Sequence, residues 1–362
     1  MPDGSVFAVI LAGGGGERFW PLSSKEQPKQ FLELIGDRTM LQQTVDRLAG
    51  FVKPRDILIV TGRGFGELAR EQLPQIPAGN IIEEPCGRDT AAAVGLAAVY
   101  LERRDPQGVM AVLPADHYIA DPVKFCRVLE IAVETARSGE WLVTLGITPT
   151  RPETGYGYIQ RGRLLKTVGS TAVYKALRFT EKPDALKARR FLASDKYFWN
   201  SGMFVWRIDV ILQLFKKYLP ELTGGLERIG SALGTDQAAS MLETVYPSLP
   251  RISIDYGVME QAANVLVLPA DFGWDDVGTW PAWARYGGIQ DGQGNVIEGN
   301  GVLVESSGCV IRASNHVVAA LGIRDLVIVE ENGRLLVCPK NRAQEIKRLV
   351  AALKEAGHDD AV

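Results

Sequence analysis

The stretch that most constrains the fold is residues 6–31, VFAVILAGGGGERFWPLSSKEQPKQF. Val6–Ala12 is almost continuously apolar, which suits a strand at the centre of a parallel sheet covered on both faces. The run ends in Gly13, Gly14, Gly15 and Gly16. Consecutive glycines let a backbone take positive φ and bring its N–H groups close to a ligand. Arg18 and Lys29 follow, two cations on an expected extended loop held by Pro21 and Pro28. A glycine turn at the carboxyl end of a first strand, followed by fixed cations, fits a polyphosphate. Two familiar phosphate loops are excluded by spacing. The Walker pattern closes with Gly-Lys-Ser/Thr, whereas Gly16 is followed by Glu17 and Arg18. The dinucleotide fingerprint, started at Gly13 and Gly15, needs a third glycine where Arg18 stands. An ordinary strand-to-loop turn is the alternative; Arg18, Lys29 and the paired prolines weigh against it.

Downstream, strands and helices alternate. Thr39-Met40-Leu41-Gln42 reads as a capping box opening a helix to about Leu48. Strands are expected at residues 57–61, up to Glu83-Glu84-Pro85, at 109–113 and at 141–147, with helices at 67–73, 91–101 and 122–137. This spacing predicts an α/β fold with a doubly wound, Rossmann-like sheet, in which ligands sit at the carboxyl ends of strands. From Thr154 the pattern changes to added strands, at Gly155-Tyr156-Gly157-Tyr158-Ile159, 172–179 and 199–204, with helices in 210–242. The core domain is expected to span residues 1–285. A turn-rich boundary at Asp291-Gly292-Gln293-Gly294-Asn295 precedes a second domain, 286–362, of short strands (302–304, 310–311, 317–321, 326–329, 335–337) and a helix at 344–353. Such short strands can stack as a small β-helix-like unit.

Composition narrows the function classes. A net charge of -3 gives no basic face for nucleic acid. Four cysteines without CxxC spacing and three dispersed histidines argue against a disulfide framework or zinc site. No apolar run approaches the roughly 20 residues of a membrane span, and no secretion signal is visible, so no membrane partner and a cytoplasmic location are expected.

Two carboxylate sources stand out. Asp116 follows a buried strand in Leu113-Pro114-Ala115-Asp116-His117, and a pair sits in Trp274-Asp275-Asp276-Val277-Gly278. Hard oxygen ligands of this kind suit magnesium, which takes one or two carboxylates plus substrate phosphates. Turn or helix-cap roles are the alternatives for all three.

The signature closely resembles that of the sugar-1-phosphate nucleotidyltransferases, and its Phe-Trp-Pro-Leu-Ser and Pro-Lys-Gln-Phe portions are most like the branch that makes GDP-mannose. Further motifs follow in the family's order: those around Asp116, Tyr156 and Asp276, with Phe179-Thr180-Glu181-Lys182-Pro183, Trp199-Asn200-Ser201-Gly202-Met203-Phe204 and Ser253-Ile254-Asp255-Tyr256-Gly257-Val258-Met259-Glu260. They cover roughly residues 6–285. The resemblance implies a mixed-sheet catalytic domain of glycosyltransferase-A type, with GTP and mannose 1-phosphate as substrates and Mg2+ or another divalent cation as cofactor. Arg18, Lys29, Asp116 and Asp276 are then the catalytic candidates, with Asp116 and Asp276 holding the metal and Arg18 and Lys29 facing the leaving pyrophosphate. The nucleotide is expected against Leu11, Ala12, Gly13, Gly14 and Gly16, against Glu84, Pro85, Gly87, Asp89 and Thr90, and beside Asp116. Lys182 is expected to hold the sugar phosphate, Glu181 and Asn200 to contact sugar hydroxyls, and Gly155, Tyr156 and Gly157 to close against the sugar.

Several questions stay open at this level. The loop Gly87-Arg88-Asp89-Thr90-Ala91-Ala92-Ala93 departs from the common Gly-Arg-Asn-Thr-Ala-Pro-Ala, so Asp89 is either a guanine acceptor or the N-cap of the following helix, the cap being slightly favoured. Glu181 and Lys182 could equally be a solvated ion pair, and Asn200 a turn former. The family match selects Asp276 as metal ligand, which leaves Asp275 as a turn or cap residue worth about 1 kcal/mol or less. By resemblance the strand-rich tail forms a homodimer, and the isomerase activity of longer members is expected to be absent. The rivals are the same chemistry with another nucleotide or sugar 1-phosphate, and a silent nucleotide-sugar sensor.

Overall fold

The computed structural model describes residues 4–169 and 171–362. The chain divides into two compact units, and the division is not a single cut. One unit comprises residues 1–13, Val45–Ala115 and Ile119–Trp274; the other comprises Gly14–Thr44, Asp116–Tyr118 and Asp275–Val362.

The first unit is built on nine strands: Val6–Ala12 (β1), Ile57–Gly62 (β2), Ile81–Glu84 (β3), Val109–Pro114 (β4), Leu142–Ile147 (β5), Tyr158–Val168 (β6), Thr171–Thr180 (β7), Tyr197–Arg207 (β8) and Val265–Ala270 (β9). Their order is β3-β2-β1-β4-β8-β5-β9-β7-β6. β1 pairs in parallel with β2 on one side and β4 on the other, so the winding direction reverses at this pair. Such a reversal opens a crevice at the carboxyl ends. The sheet is mixed, because β8 enters antiparallel between β4 and β5. The helix Asp89–Glu102 lies in the core with ten buried residues, most of them alanine, glycine or valine. Small side chains let it approach the sheet closely. Its amphipathic counterpart, Pro122–Arg137, is started by Asp121, whose carboxylate accepts from the Lys124 N–H at 2.9 Å.

In the second unit the capping box forms reciprocally: Thr39 Oγ1 accepts from the Gln42 N–H at 3.2 Å, and Gln42 Oε1 from the Thr39 N–H at 3.1 Å. The loop expected to be extended instead contains two 3-10 turns, Glu17–Phe19 and Lys29–Phe31. The cause is its apolar content. Phe19, Trp20, Leu32 and Leu34 pack into one core with Val277, Trp280, Trp283, Ile346 and Val350. A five-stranded sheet follows: Ile289–Gln290 (β10), Val296–Val304 (β11), Val310–Leu321 (β12), Leu326–Glu331 (β13) and Arg334–Pro339 (β14). β11, β12 and β13 are sequential yet parallel, joined by only a few residues, which is the stacking of a β-helix. Its strands are longer than the apolar runs alone suggest. β11 starts six residues before Val302 and absorbs Gly299 and Gly301 at a register shift. β12 also spans Arg312 to His316, where its pairing with β11 breaks after Ala313 and resumes at Val318. The strand expected from Gly155 begins only at Tyr158.

Candidate active site

Within the second unit the signature folds Lys29 inward. Its side chain is 6% exposed, and its ammonium donates to the Asp116 carbonyl (2.8 Å), Asp116 Oδ2 (2.8 Å) and the Asp276 carbonyl (2.6 Å). An ammonium has three donors, so all are spent inside the protein. Gly16 makes this possible: at φ +60°, a Cβ there would stand 2.5 Å from the Lys29 Cβ and 2.7 Å from its backbone nitrogen. Lys29 thus ties two distant segments to the phosphate-loop candidate. Burial by itself would raise the Asp116 pKa; the charge of Lys29, then that of His117, outweighs it and holds the carboxyl below its usual value. Asp116 is therefore a carboxylate at neutral pH.

The neighbouring aspartates differ in their surroundings. Asp276 Oδ1 accepts from the Gly278 N–H at 3.0 Å. A Cβ on Gly278 would lie 2.9 Å from Asp276 Oδ2 and 3.3 Å from Arg18 Nη1, which puts the Arg18 guanidinium on the same side. Arg18 is exposed and donates to Gln344 Oε1 at 2.9 Å, a partner that no sequence motif indicated. Asp275 is fully buried. Its Oδ2 accepts from Arg285 Nε (3.0 Å) and Nη2 (2.5 Å) and from the Tyr286 hydroxyl (3.3 Å), while Oδ1 accepts from the Val277 N–H (2.9 Å). A turn or cap residue of small consequence is the wrong description. Asp275 is the anion of a buried ion pair, and its partner lies ten residues away in a stretch without charge periodicity.

Within the first unit, two groups form. At the carboxyl end of β1, Leu11 and Ala12 lead to Gly13, with the Ala12 carbonyl accepting from the Thr61 hydroxyl at 2.9 Å. Glu84 ends β3, buried, before the turn that carries Pro85 and Gly87. Asp89 is not the N-cap. Arg88 holds that position, and Asp89 begins the helix at φ +60° with its carboxylate 3.4 Å from Arg251 Nε. At the helix start the Ala91 N–H donates to the Ile252 carbonyl at 3.2 Å, while the Thr90 hydroxyl holds the neighbouring segment by accepting from the Ile254 N–H at 2.9 Å.

The second group gathers the sugar-site candidates. Asn200 donates from Nδ2 to Asp255 Oδ1 at 2.7 Å and accepts at Oδ1 from the Gly202 N–H at 3.1 Å, so its amide orientation is set. A Cβ on Gly157 would stand 2.7 Å from Glu181 Oε2 and 3.4 Å from the Asn200 Cβ, hence glycine there. Tyr156 is buried against Trp199 and Trp274 at ring distances of 5.2 and 5.1 Å. Glu181 and Lys182 do form an ion pair, at 3.1 Å, with the Lys182 side chain 66% exposed and its backbone at φ +39°. Burial raises the Asp255 pKa, opposed by Asn200 and reinforced by the charge of Glu181. Asp255 lay in a quoted motif without a role. Its partnership with Asn200 spans 55 residues and has no local signal.

Known proteins match over both units. The family model for nucleotidyl transferases matches residues 7–286, and that for the MannoseP isomerase/GMP-like β-helix domain matches 299–353. The chain belongs to the nucleotidyl transferase family. Within it, the mannose-1-phosphate guanylyltransferase of Escherichia coli K12 is 37% identical over 99% of this chain and 76% of its own length. The xanthan biosynthesis protein XanB of Xanthomonas campestris is 39% identical over 98% of this chain and 75% of its own. A crystal structure described as mannose-1-phosphate geranyltransferase from Thermus thermophilus superposes with a TM-score of 0.85 at 38% identity, over 97% of this chain and 99% of that one. The family fold, a mixed α/β sheet followed by a strand-rich β-helix-like region, is the one described above. Among the described residues no helix is long and apolar enough to cross a membrane.

Proposed function

We propose that the protein transfers GMP from GTP to mannose 1-phosphate, giving GDP-mannose and pyrophosphate. The observation that carries this reading is similarity to mannose-1-phosphate guanylyltransferases along nearly the whole chain. Lys29 supports it by holding the Asp116 carboxylate and the Asp276 backbone carbonyl on one ammonium. A phosphate oxygen of the sugar phosphate attacks the α-phosphorus of GTP in line, and the bond to the bridging oxygen of pyrophosphate breaks. The nucleophile is already anionic, so no protein nucleophile is needed and catalysis is positioning and charge neutralisation.

Two hard carboxyl oxygen donors fit magnesium, and no cluster of three or more His, Cys, Asp or Glu ligands exists among the described residues, so substrate phosphates and water would complete the shell. Magnesium held by Asp116 and Asp276 would neutralise charge on the phosphates. Lys29 keeps those aspartates in place and adds a fixed, buried positive charge rather than a free donor. Arg18, exposed and with five N–H groups, is the better candidate for contact with the leaving pyrophosphate. Glycines 13, 14 and 16 offer backbone N–H groups to the triphosphate. Lys182 would bind the sugar phosphate by exchanging Glu181 for it, which frees Glu181 for a sugar hydroxyl; Asn200, fixed by Asp255, supplies an amide. Gly155, Tyr156 and Gly157 line the sugar side, and Glu84, Pro85, Gly87, Asp89 and Thr90 the base side. Asp89 is the weakest of these, since Arg251 already engages it.

We also assign residues 1–285 to catalysis and 286–362 to the β-helix-like domain, a division supported by the family-model limits. The protein is read as a cytoplasmic homodimer. Supporting the dimer, Val302, Val304, Val317 and Leu321 are 56%, 51%, 69% and 70% exposed on paired strands of the second unit. A pyrophosphate-release assay over a matrix of nucleoside triphosphates and sugar 1-phosphates tests the main reading. GTP with mannose 1-phosphate should give the highest kcat/KM. Preference for UTP, dTTP or ATP would remove the base assignment, and binding without turnover would make the chain a sensor.

A further inference from the structure

Glu84 is a buried carboxylate, and it forms no ion pair among the described residues. Its named partner is a phenol: the hydroxyl of Tyr246, in the short turn Tyr246–Ser248, donates to Glu84 Oε1. Tyr246 is itself fully buried in the apolar core of the first unit. The other oxygen, Oε2, lies 4.0 Å from where a Cβ on Gly13 would sit, so it looks toward the glycine that ends β1. The backbone is held as well, with the Glu84 carbonyl accepting from the Arg63 N–H at 2.9 Å. The surrounding charges have partners elsewhere, with Arg88 Nε buried and without a hydrogen bond among the described residues. Arg63 pairs with Glu243, Glu83 accepts from the Gly64 N–H and Arg70, and Arg88 donates to the Pro247 carbonyl. Cys86 and Arg88 are the other titratable groups facing Tyr246. Burial pushes the Glu84 carboxyl up to about 7, and the Tyr246 hydrogen bond pulls it back toward the charged form.

The charge state of such a group decides which purine it can read. Guanine presents two donors, N1–H and N2–H2, which an ionised carboxylate accepts. Adenine presents an acceptor, N1, beside its amine, which matches a neutral carboxylic acid. We propose that Tyr246 is a positioning residue for base selection: its hydroxyl orients Glu84 as a charged acceptor for the guanine edge and so favours GTP over ATP. The proposal rests on the guanylyltransferase reading above.

The test is calorimetric binding of GTP, ITP and ATP from pH 6 to 9, with steady-state kinetics, on the wild type, Tyr246→Phe and Glu84→Gln. In the wild type GTP affinity should rise with pH through about 7. Tyr246→Phe should move that rise upward by about one unit, weakening GTP about fivefold near pH 7 with recovery at pH 9. ITP, lacking the N2 amine, should bind more weakly than GTP to the wild type, and the KM for mannose 1-phosphate should stay unchanged. Glu84→Gln should abolish the rise and lower the GTP-to-ATP ratio. A Tyr246→Phe protein with the wild-type profile and ratio, or equally damaged toward both substrates at every pH, would overturn the proposal. If that variant does not fold, a pH-dependent rise persisting in Glu84→Gln overturns it instead. A wild type that prefers another base refutes the guanylyltransferase reading itself, and does so before any variant is compared.

Discussion

Replacing Asp275 by asparagine removes the charge from a fully buried carboxylate while leaving its shape. The structure sets the size of the effect. Asp275 Oδ2 carries both Arg285 bonds and the contact from Tyr286, and Oδ1 accepts from the Val277 N–H. An asparagine keeps the Val277 bond by turning its oxygen to that side, which places its amide donors against the guanidinium. Removing one partner of a buried pair costs about 3–5 kcal/mol. Arg285 is 35% exposed on its side chain and can rehydrate in part, so the expected loss is about 2–3 kcal/mol. At about 1.3 °C per kcal/mol for a chain of 362 residues, thermal unfolding should shift down by about 3–4 °C. Asp276→Asn is the control. Its oxygen can still accept from Gly278, so stability should change less, while turnover falls steeply and recovers in part at raised magnesium. Calorimetry and pyrophosphate release on both variants check this. A stable, inactive Asp275→Asn beside an active, unstable Asp276→Asn would refute the assignment.

Three further outcomes are expected. Lys182→Ala should raise the KM for mannose 1-phosphate far more than that for GTP, by the equivalent of about 1.5–3 kcal/mol for a charge-assisted hydrogen bond; equal damage to both would place Lys182 elsewhere. Glu330 is held down to about 2 first by His316 Nδ1 at 2.8 Å and then by the Asn315 and His316 N–H groups, against the cost of burial. Its pKa is depressed on folding, so its stabilisation is complete above the ordinary value of 4.5 and is lost as pH falls toward about 2; Glu330→Gln should flatten denaturation midpoints across that window. Val317→Lys combined with Leu321→Lys should convert a dimer to monomers in sedimentation, and a wild type that is already monomeric would end that proposal.

The order of elements was legible in the sequence because its signals are local. A buried strand is an apolar run, a capping box is four residues, and four glycines are visible as such. What the sequence could not determine was partnership across distance. Lys29 lies 87 residues from Asp116 and 247 from Asp276, and only folding reveals that its three donors are consumed by them. The same holds for Tyr246 and Glu84, 162 residues apart, and for Arg18 and Gln344, 326 apart. The cap reading slightly favoured for Asp89 rested on its residue type, yet at the helix start it is the Ile252 carbonyl that accepts from the Ala91 N–H. Asp275 was undervalued because burial is a property of the packed core, not of a residue's neighbours in the chain. Propensity and periodicity act over a few residues; desolvation and charge pairing act wherever tertiary packing brings groups together, and these set the chemistry of the site.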